Sequence, residues 1–207
     1  MFRIEQDTQG LLITNPRGYS MFTRLFFGGR RRHDARVAAA SGACTGHRAL
    51  DIASGTGTVA AALADRVGPT GEVVGIDAAR EMVDYANAHA GRRPNCRFQQ
   101  AAAQSLPFED ASFDVVTCTF AMHHIPDTDR AAALAEMFRI LKPGGRLLLA
   151  DMAPTGLHGH LTKLLSRHMD PAEIDIRRYR EPLQATGFGQ ITYAVVPPST
   201  GTLTAVR

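Results

Sequence analysis

Acids and histidines in this chain fall at the ends of strand-like runs, next to glycines. Leu50-Asp51-Ile52-Ala53-Ser54-Gly55-Thr56-Gly57-Thr58 reads as a buried strand, an acid, a glycine turn and a helix start. Gly55 and Gly57 are expected to let the backbone turn sharply and approach a ligand where a Cβ would clash. The apolar spacing of Val59, Ala60, Leu63, Ala64 and Val67 predicts a helix directly after the turn. Such a strand-turn-helix unit presents free N–H groups at a crevice, where nucleosides bind in open α/β sheets. Asp51 is expected to accept from a cationic or hydroxylated ligand. A second run, Glu72-Val73-Val74-Gly75-Ile76-Asp77, ends in an acid about 20 residues beyond the turn, from where a carboxylate can bind both ribose hydroxyls. His123 and His124 come after a later strand pattern, at its carboxyl end, facing the same crevice.

A lone Gly-x-Gly is a weak signal, and a purely structural turn uses the same residues. Gly55, Gly57 and Ala60 also satisfy the dinucleotide fingerprint. Two later stretches of the chain narrow the choice of nucleoside. Leu106-Pro107-Phe108-Glu109-Asp110-Ala111-Ser112-Phe113-Asp114 leads into the strand Val115-Val116-Thr117-Cys118. Arg139-Ile140-Leu141-Lys142-Pro143-Gly144-Gly145-Arg146-Leu147-Leu148-Leu149 comes after a further helix. This ordered set, from about Gly46 to Met152, resembles the class I S-adenosylmethionine-dependent methyltransferases. It looks closest to the type 11 branch that contains the ubiquinone and menaquinone biosynthesis methyltransferases.

The resemblance implies S-adenosyl-L-methionine as cofactor and carries over residue by residue. The family shows Asp-x-Gly-x-Gly-x-Gly after its first strand. Asp51, Gly55 and Gly57 match it, and Ala53 stands in place of the first glycine. The turn, with Ser54, is then expected to contact the methionine moiety, and Asp77, with Ala78 and Met82 after it, the ribose side. Phe120 is expected at the cofactor as well. The family often has Gly-Asp-Ala upstream of Leu-Pro-Phe, its Asp bonded to the adenine amino group. Here those positions read Ala101-Ala102-Ala103, and Ala102 lacks that group. Gln104 or a backbone carbonyl is left to replace it.

The elements that must position these residues alternate. Strands are expected near 48–52, 73–77, 96–100, 114–120 and 146–151, with helices near 58–67, 79–90 and 128–141. Alternation implies a mostly parallel sheet with helices on both faces, a Rossmann-like α/β fold. The tail predicts a helix over 173–186, then strands Ile191–Val196 and Thr202–Val206. The family closes a sheet of about seven strands this way, with its last strand antiparallel. One domain is expected over 1–207: an N-terminal helical arm (1–42), a cofactor-binding core (46–152), a lid insertion (153–172) and a C-terminal helix with hairpin (173–207).

Composition fits a compact cytoplasmic enzyme. Cys44, Cys96 and Cys118 lack paired spacing, and Cys96 and Cys118 sit in strand patterns as buried thiols. No stretch reaches the ~20 apolar residues of a membrane span, so no integral membrane association is expected. The net charge of +3 is modest and does not argue for nucleic acid. Arg30-Arg31-Arg32-His33 reads as a solvated helix face or turn, with a phosphate or anionic surface as the alternative. The oligomeric state is open, a homodimer included.

The arm (Met21, Phe22, Leu25, Phe26, Phe27) and the insertion (Leu157, Leu161, Leu164, Leu165, Met169) are apolar at helical spacing, with Tyr19 and His158 alongside as further candidates to contact the substrate. Core packing is one reading. The other is a small lid that, in the family, forms the pocket for a small-molecule acceptor, with Tyr19 near the cofactor carboxylate. Asp151 ends the fifth strand, as a contact to substrate or lid or as a structural cap. His123 or His124 is the candidate catalytic base, needed only if the acceptor must lose a proton. His158, His160 and His168 with Asp151 or Asp170 match no standard metal spacing, so no metal is expected. Three other functions compete. A nicotinamide oxidoreductase shares the turn and Asp77, but no tyrosine is followed by lysine four residues later. A base-amine methyltransferase lacks its motif, because Thr119-Phe120-Ala121-Met122-His123 stands where Asn/Asp-Pro-Pro-aromatic would. A cofactor-binding accessory protein without turnover draws its support from Ala102. The activity expected is methyl transfer to a small, largely apolar metabolite, phenol- or quinol-like.

Overall fold

The computed structural model describes residues 4–7, 10–27, 30–90, 92–153 and 174–207. Its centre is a seven-stranded sheet. The strands in chain order are β3 (Arg48–Ile52), β4 (Glu72–Asp77), β5 (Cys96–Gln100), β6 (Phe113–Thr119), β7 (Leu141–Met152), β8 (Gly189–Val196) and β9 (Thr200–Val206). Across the sheet they run β5-β4-β3-β6-β7-β9-β8. All pairs from β5 to β7 are parallel, and β9 is antiparallel to both neighbours. The helices are α1 (Pro16–Phe27), α2 (Arg30–Ala40), α3 (Thr58–Val67), α4 (Arg80–His89), α5 (Asp127–Ile140) and α6 (Arg180–Thr186). The strand order reverses between β3, which continues to β4, and β6 on its other side. That reversal opens a crevice at the carboxyl ends of β3 and β6.

Two apolar layers hold the helices, and the strands alternate between them. Leu50, Ile52, Val74, Ile76, Val116 and Cys118 face α5 and α6. Ala49, Val73, Val115 and Leu148 face α2, α3 and α4. Period-two alternation therefore places Asp51, Gly75 and Thr117 on the second face, and the register pairs Asp51 with both Gly75 and Thr117. The buried acid at the end of β3 is thus opposite a hydroxyl on one side and a bare backbone on the other.

Three regions differ from expectation. Ahead of the helical arm stands a hairpin, β1 (Ile4–Asp7) with β2 (Gly10–Ile13). Its four-residue strands are too short and too polar in β1 to show a periodic signal. The tail helix is broken into a 3₁₀ turn, Ile176–Tyr179, and α6. The Arg30–His33 run is also not uniformly solvated: Arg31 and Arg32 are exposed, but His33 and Asp34 are buried, with His33 Nε2 2.8 Å from Thr200 Oγ1. A helix turns about 100° per residue, so consecutive polar residues do not share a face. The insertion at 154–173 lies outside the described residues. Cys96 and Cys118 are buried, as expected.

Gly57 is held by packing on its own layer rather than by a ligand. Its φ is +78°, and a Cβ there would stand 2.6 Å from Phe98 Cζ and 2.9 Å from Ala90 Cβ. Gly57→Ala should therefore destabilise the fold by about 2–4 kcal/mol, overpacking added to left-handed strain. Urea denaturation checks this, and an unchanged midpoint would mean that the Phe98 ring is not packed on this turn.

Candidate functional site at the sheet reversal

A cavity lies over the carboxyl ends of β3, β4 and β6. From the turn after β3 it takes Ala53 and Gly55, and from β4 and its helix Asp77, Ala78 and Met82. The loop after β5 adds Ala101, Ala102, Ala103 and Gln104, and the segment after β6 adds Phe120, Ala121, His124 and Ile125. Tyr19 from α1 closes one side.

Asp77 organises this mouth. Its Oδ2 accepts from the Gly55 N–H at 2.8 Å and its Oδ1 from the Ala79 N–H at 2.9 Å. Burial raises its pKa, and the N–H groups of Ala79, Gly55 and Ala78 oppose that rise. Each carboxylate oxygen has further lone-pair capacity, so Asp77 can still accept from a ligand. Gly55 is also left-handed (φ +53°), but a Cβ there would meet only Tyr19 Cε1, at 3.7 Å. The two glycines thus differ: Gly57 accommodates Phe98, and Gly55 leaves space on the cavity. Ala53 (φ +53°) and Phe120 (φ +55°) are left-handed residues with a Cβ, both at the cavity. Such conformations cost of order 1–3 kcal/mol each and gather at functional sites. The Ser54 and Thr56 hydroxyls beneath the turn are buried without a partner among the described residues.

Asp51 is placed behind the turn, with 0% of its surface exposed, and is not part of the cavity wall. Its Oδ1 accepts from Thr117 Oγ1 at 2.7 Å, and its Oδ2 is buried without a partner among the described residues. Burial pushes its pKa up to about 7; the Thr117 bond opposes this, and the charge of Asp34 adds to it.

The two histidines have different environments. His124 lines the cavity, and its Nδ1 is buried without a partner among the described residues. Burial, then the neighbouring His123, lowers its pKa to about 3. His124 thus stays neutral near pH 7, unlike the near-neutral titration expected of a histidine base. His123 is not among the residues that line this cavity. Its Nδ1 is 2.6 Å from Asp151 Oδ2, in a nearly buried pair, and its ring packs 4.1 Å from that of His124. The other oxygen of Asp151 accepts from the Met152 N–H at 2.8 Å.

The sequence reading missed Ile13, Ile52, Ala101, Thr119, Ala121 and Ile125 in this wall. Ile52 and Thr119 end the two strands at the reversal, which is itself a usable signal. Ile13 comes from the unforeseen hairpin. The side chains of Phe22 and Phe26, and all of His158, Leu161, His160, His168 and Asp170, lie outside the described residues. Among the described residues, no group of three His, Cys, Asp or Glu could hold a metal ion, and no helix is long and apolar enough to cross a membrane.

A family model described as a methyltransferase domain matches residues 49–145, from β3 through the turn before the main part of β7. The demethylmenaquinone methyltransferase of Deinococcus radiodurans is 40% identical over 170 residues, 80% of this chain and 69% of the relative. The chain belongs to the class I S-adenosylmethionine-dependent methyltransferases. The ubiquinone/menaquinone biosynthesis C-methyltransferase of Pseudomonas savastanoi is 40% identical over 73% of this chain. The chain spans only 58% of that relative's length. A methyltransferase structure from Aquifex aeolicus matches with a TM-score of 0.74 at 21% identity, over 93% of this chain and 98% of the other. That likeness supports the fold. The methyltransferase family implies a bound S-adenosylmethionine, and the site has room for one, with open space at Gly55 and Asp77 at the mouth.

The buried Asp51 makes stability depend on pH. Its folded pKa of about 7 stands above the ordinary carboxylate value of 3.8, so the folded state holds the proton more tightly. Stability is full below about pH 4 and falls as pH rises through 7. Between pH 5 and 7.5 wild type should lose about 2–4 kcal/mol relative to Asp51→Asn, which keeps the Thr117 acceptor but does not titrate. Parallel urea titrations at both pH values measure the difference, and equal slopes would show Asp51 ionised throughout.

Proposed function

We propose that the chain transfers the methyl group of S-adenosyl-L-methionine to a small, largely apolar acceptor, a phenol or quinol. The observation that carries this is the Asp77–Gly55 mouth for the cofactor, beside a further stretch of cavity wall, Ile13, Phe120, Ala121 and Ile125 with Tyr19 and His124, that is mostly apolar. Pockets that bury small molecules are mainly apolar, with a few polar groups that orient the ligand. Two relatives named for menaquinone and ubiquinone biosynthesis point to the same acceptor class.

When bound, the cofactor supplies an activated sulfonium methyl, so the chain's own work is alignment and water exclusion. Asp77 would hold the ribose hydroxyls. Ala53, Ser54, Gly55 and Thr56 would cradle the methionine end, and Ala78, Met82 and the Ala101–Gln104 loop the base. Gly57 and Asp51 support this cradle from behind. Phe120 and Tyr19, which line the cavity, would contact the bound cofactor. His124, neutral and at the cavity, would orient the acceptor's oxygen through a hydrogen bond. His123 lies off the cavity wall with its Nδ1 on Asp151, and it would serve as base only to an acceptor that reaches its Nε2 lone pair.

Asp77→Ala should weaken S-adenosylhomocysteine binding by about 2–4 kcal/mol, through lost hydrogen bonds to a charged acceptor. The loss should shrink for a 2′,3′-dideoxy analogue. Calorimetry reads both ligands, and equal losses would assign the effect to a loosened glycine turn. Wild type should bind adenosylhomocysteine and not a nicotinamide dinucleotide.

The histidines separate by kinetic effect, once an acceptor turns over. His123→Gln should reduce kcat by about 10²–10⁴-fold. His124→Gln should mainly raise KM. Wild-type rates in both variants would overturn the base assignment and favour alignment of an already ionised acceptor.

A further inference from the structure

The wall contributed by β4, α4 and the loop after β5 contains Ala78, Met82, Ala101, Ala102 and Ala103. These residues form an apolar slot suited to the face of a purine. Apart from Asp77, the side chain there that can hydrogen-bond is that of Gln104. We infer that Gln104 selects adenine by accepting from its amino group, and that Asp129 is the positioning residue that turns the amide to do so. The inference rests on the cofactor proposed above and names how this chain recognises its base.

The polarity of the amide is decided by its partner. Gln104 Nε2 donates to Asp129 Oδ2 at 3.4 Å, across from the loop to the first turn of α5. A carboxylate only accepts, so the amide nitrogen must face it. Oε1 is then the group Gln104 can offer to a ligand. Asp129 is itself steadied, because Thr128 Oγ1 donates to its Oδ1 at 3.2 Å. An acceptor at this place suits the amino group of adenine. Hypoxanthine presents a carbonyl oxygen there, which would face Oε1 lone pair to lone pair. Ala102 brings no polar group of its own, so the discrimination falls to Gln104.

The test is a selectivity ratio, read by calorimetry with S-adenosylhomocysteine and S-inosylhomocysteine. Wild type should prefer the adenosyl ligand by about tenfold or more. Gln104→Leu, close in volume, should lose about five- to tenfold in adenosyl affinity without any loss of inosyl affinity, so that the ratio falls toward one. Asp129→Ala should lower the ratio in the same direction by freeing the amide to rotate, an effect that a merely structural role would not produce. Ala102→Asp in the Gln104→Leu background should restore it by supplying a new acceptor. Melting curves of each variant establish that it is folded. An unchanged ratio in Gln104→Leu, with adenosylhomocysteine still bound, overturns the role of Gln104 alone. Failure of wild type to bind adenosylhomocysteine overturns the cofactor reading with it.

Discussion

The carboxylate of Asp77 ties the end of β4 to the glycine turn after β3, and the candidate site depends on that tie. The parallel register that pairs Ile52 with Ile76 brings the two strand ends level. The chain must then leave β3 sharply, which puts Gly55 N–H over Asp77 and the same carboxylate over the start of α4 at Ala79. One side chain thereby shapes the turn, anchors a helix start and presents acceptor oxygens to the cavity. Replacing it removes all of these together, which is why its binding role is best read against a ligand that lacks the hydroxyls.

Behind this tie the protein tolerates an unfavourable arrangement. Asp51 is fully buried on the same face, within electrostatic reach of Asp34 and Asp77. A lone buried carboxylate avoids its desolvation penalty by holding a proton. The Thr117 hydroxyl offsets part of the remainder. Left-handed Ala53 and Phe120 add strain on either side. Acids pushed toward neutrality and strained backbone gather where function requires an arrangement that stability alone would not select. His124 obeys the same logic with opposite sign: burial holds it neutral, so it presents a lone pair and an N–H without charge.

Much of the sheet was legible because its physics is local. The strands β3 and β4, buried on both faces, read as apolar runs and start and end within a residue of expectation. The helix α3 was visible in its spacing of Val59, Ala60, Leu63, Ala64 and Val67, all buried. The hairpin at residues 4–13 was not, because four-residue strands carry no periodicity to detect. In the site, Asp77 and Gly55 were legible from strand ends and turn chemistry. The different role of Gly57 was not, since it depends on Phe98, distant in sequence, being packed across the turn. The division between His123 and His124 depended likewise on tertiary burial and on Asp151, which adjacency in sequence does not reveal.

The central claim is that the crevice at the sheet reversal is the cofactor site. Amide chemical shifts of the isotope-labelled chain, monitored during titration with S-adenosylhomocysteine, test it most directly. The largest changes should fall at residues 53–57, 77–79, 101–104 and 119–124, with β8 at the far edge of the sheet unmoved. Saturable binding whose shifts cluster elsewhere, or no shifts at millimolar ligand, would contradict it.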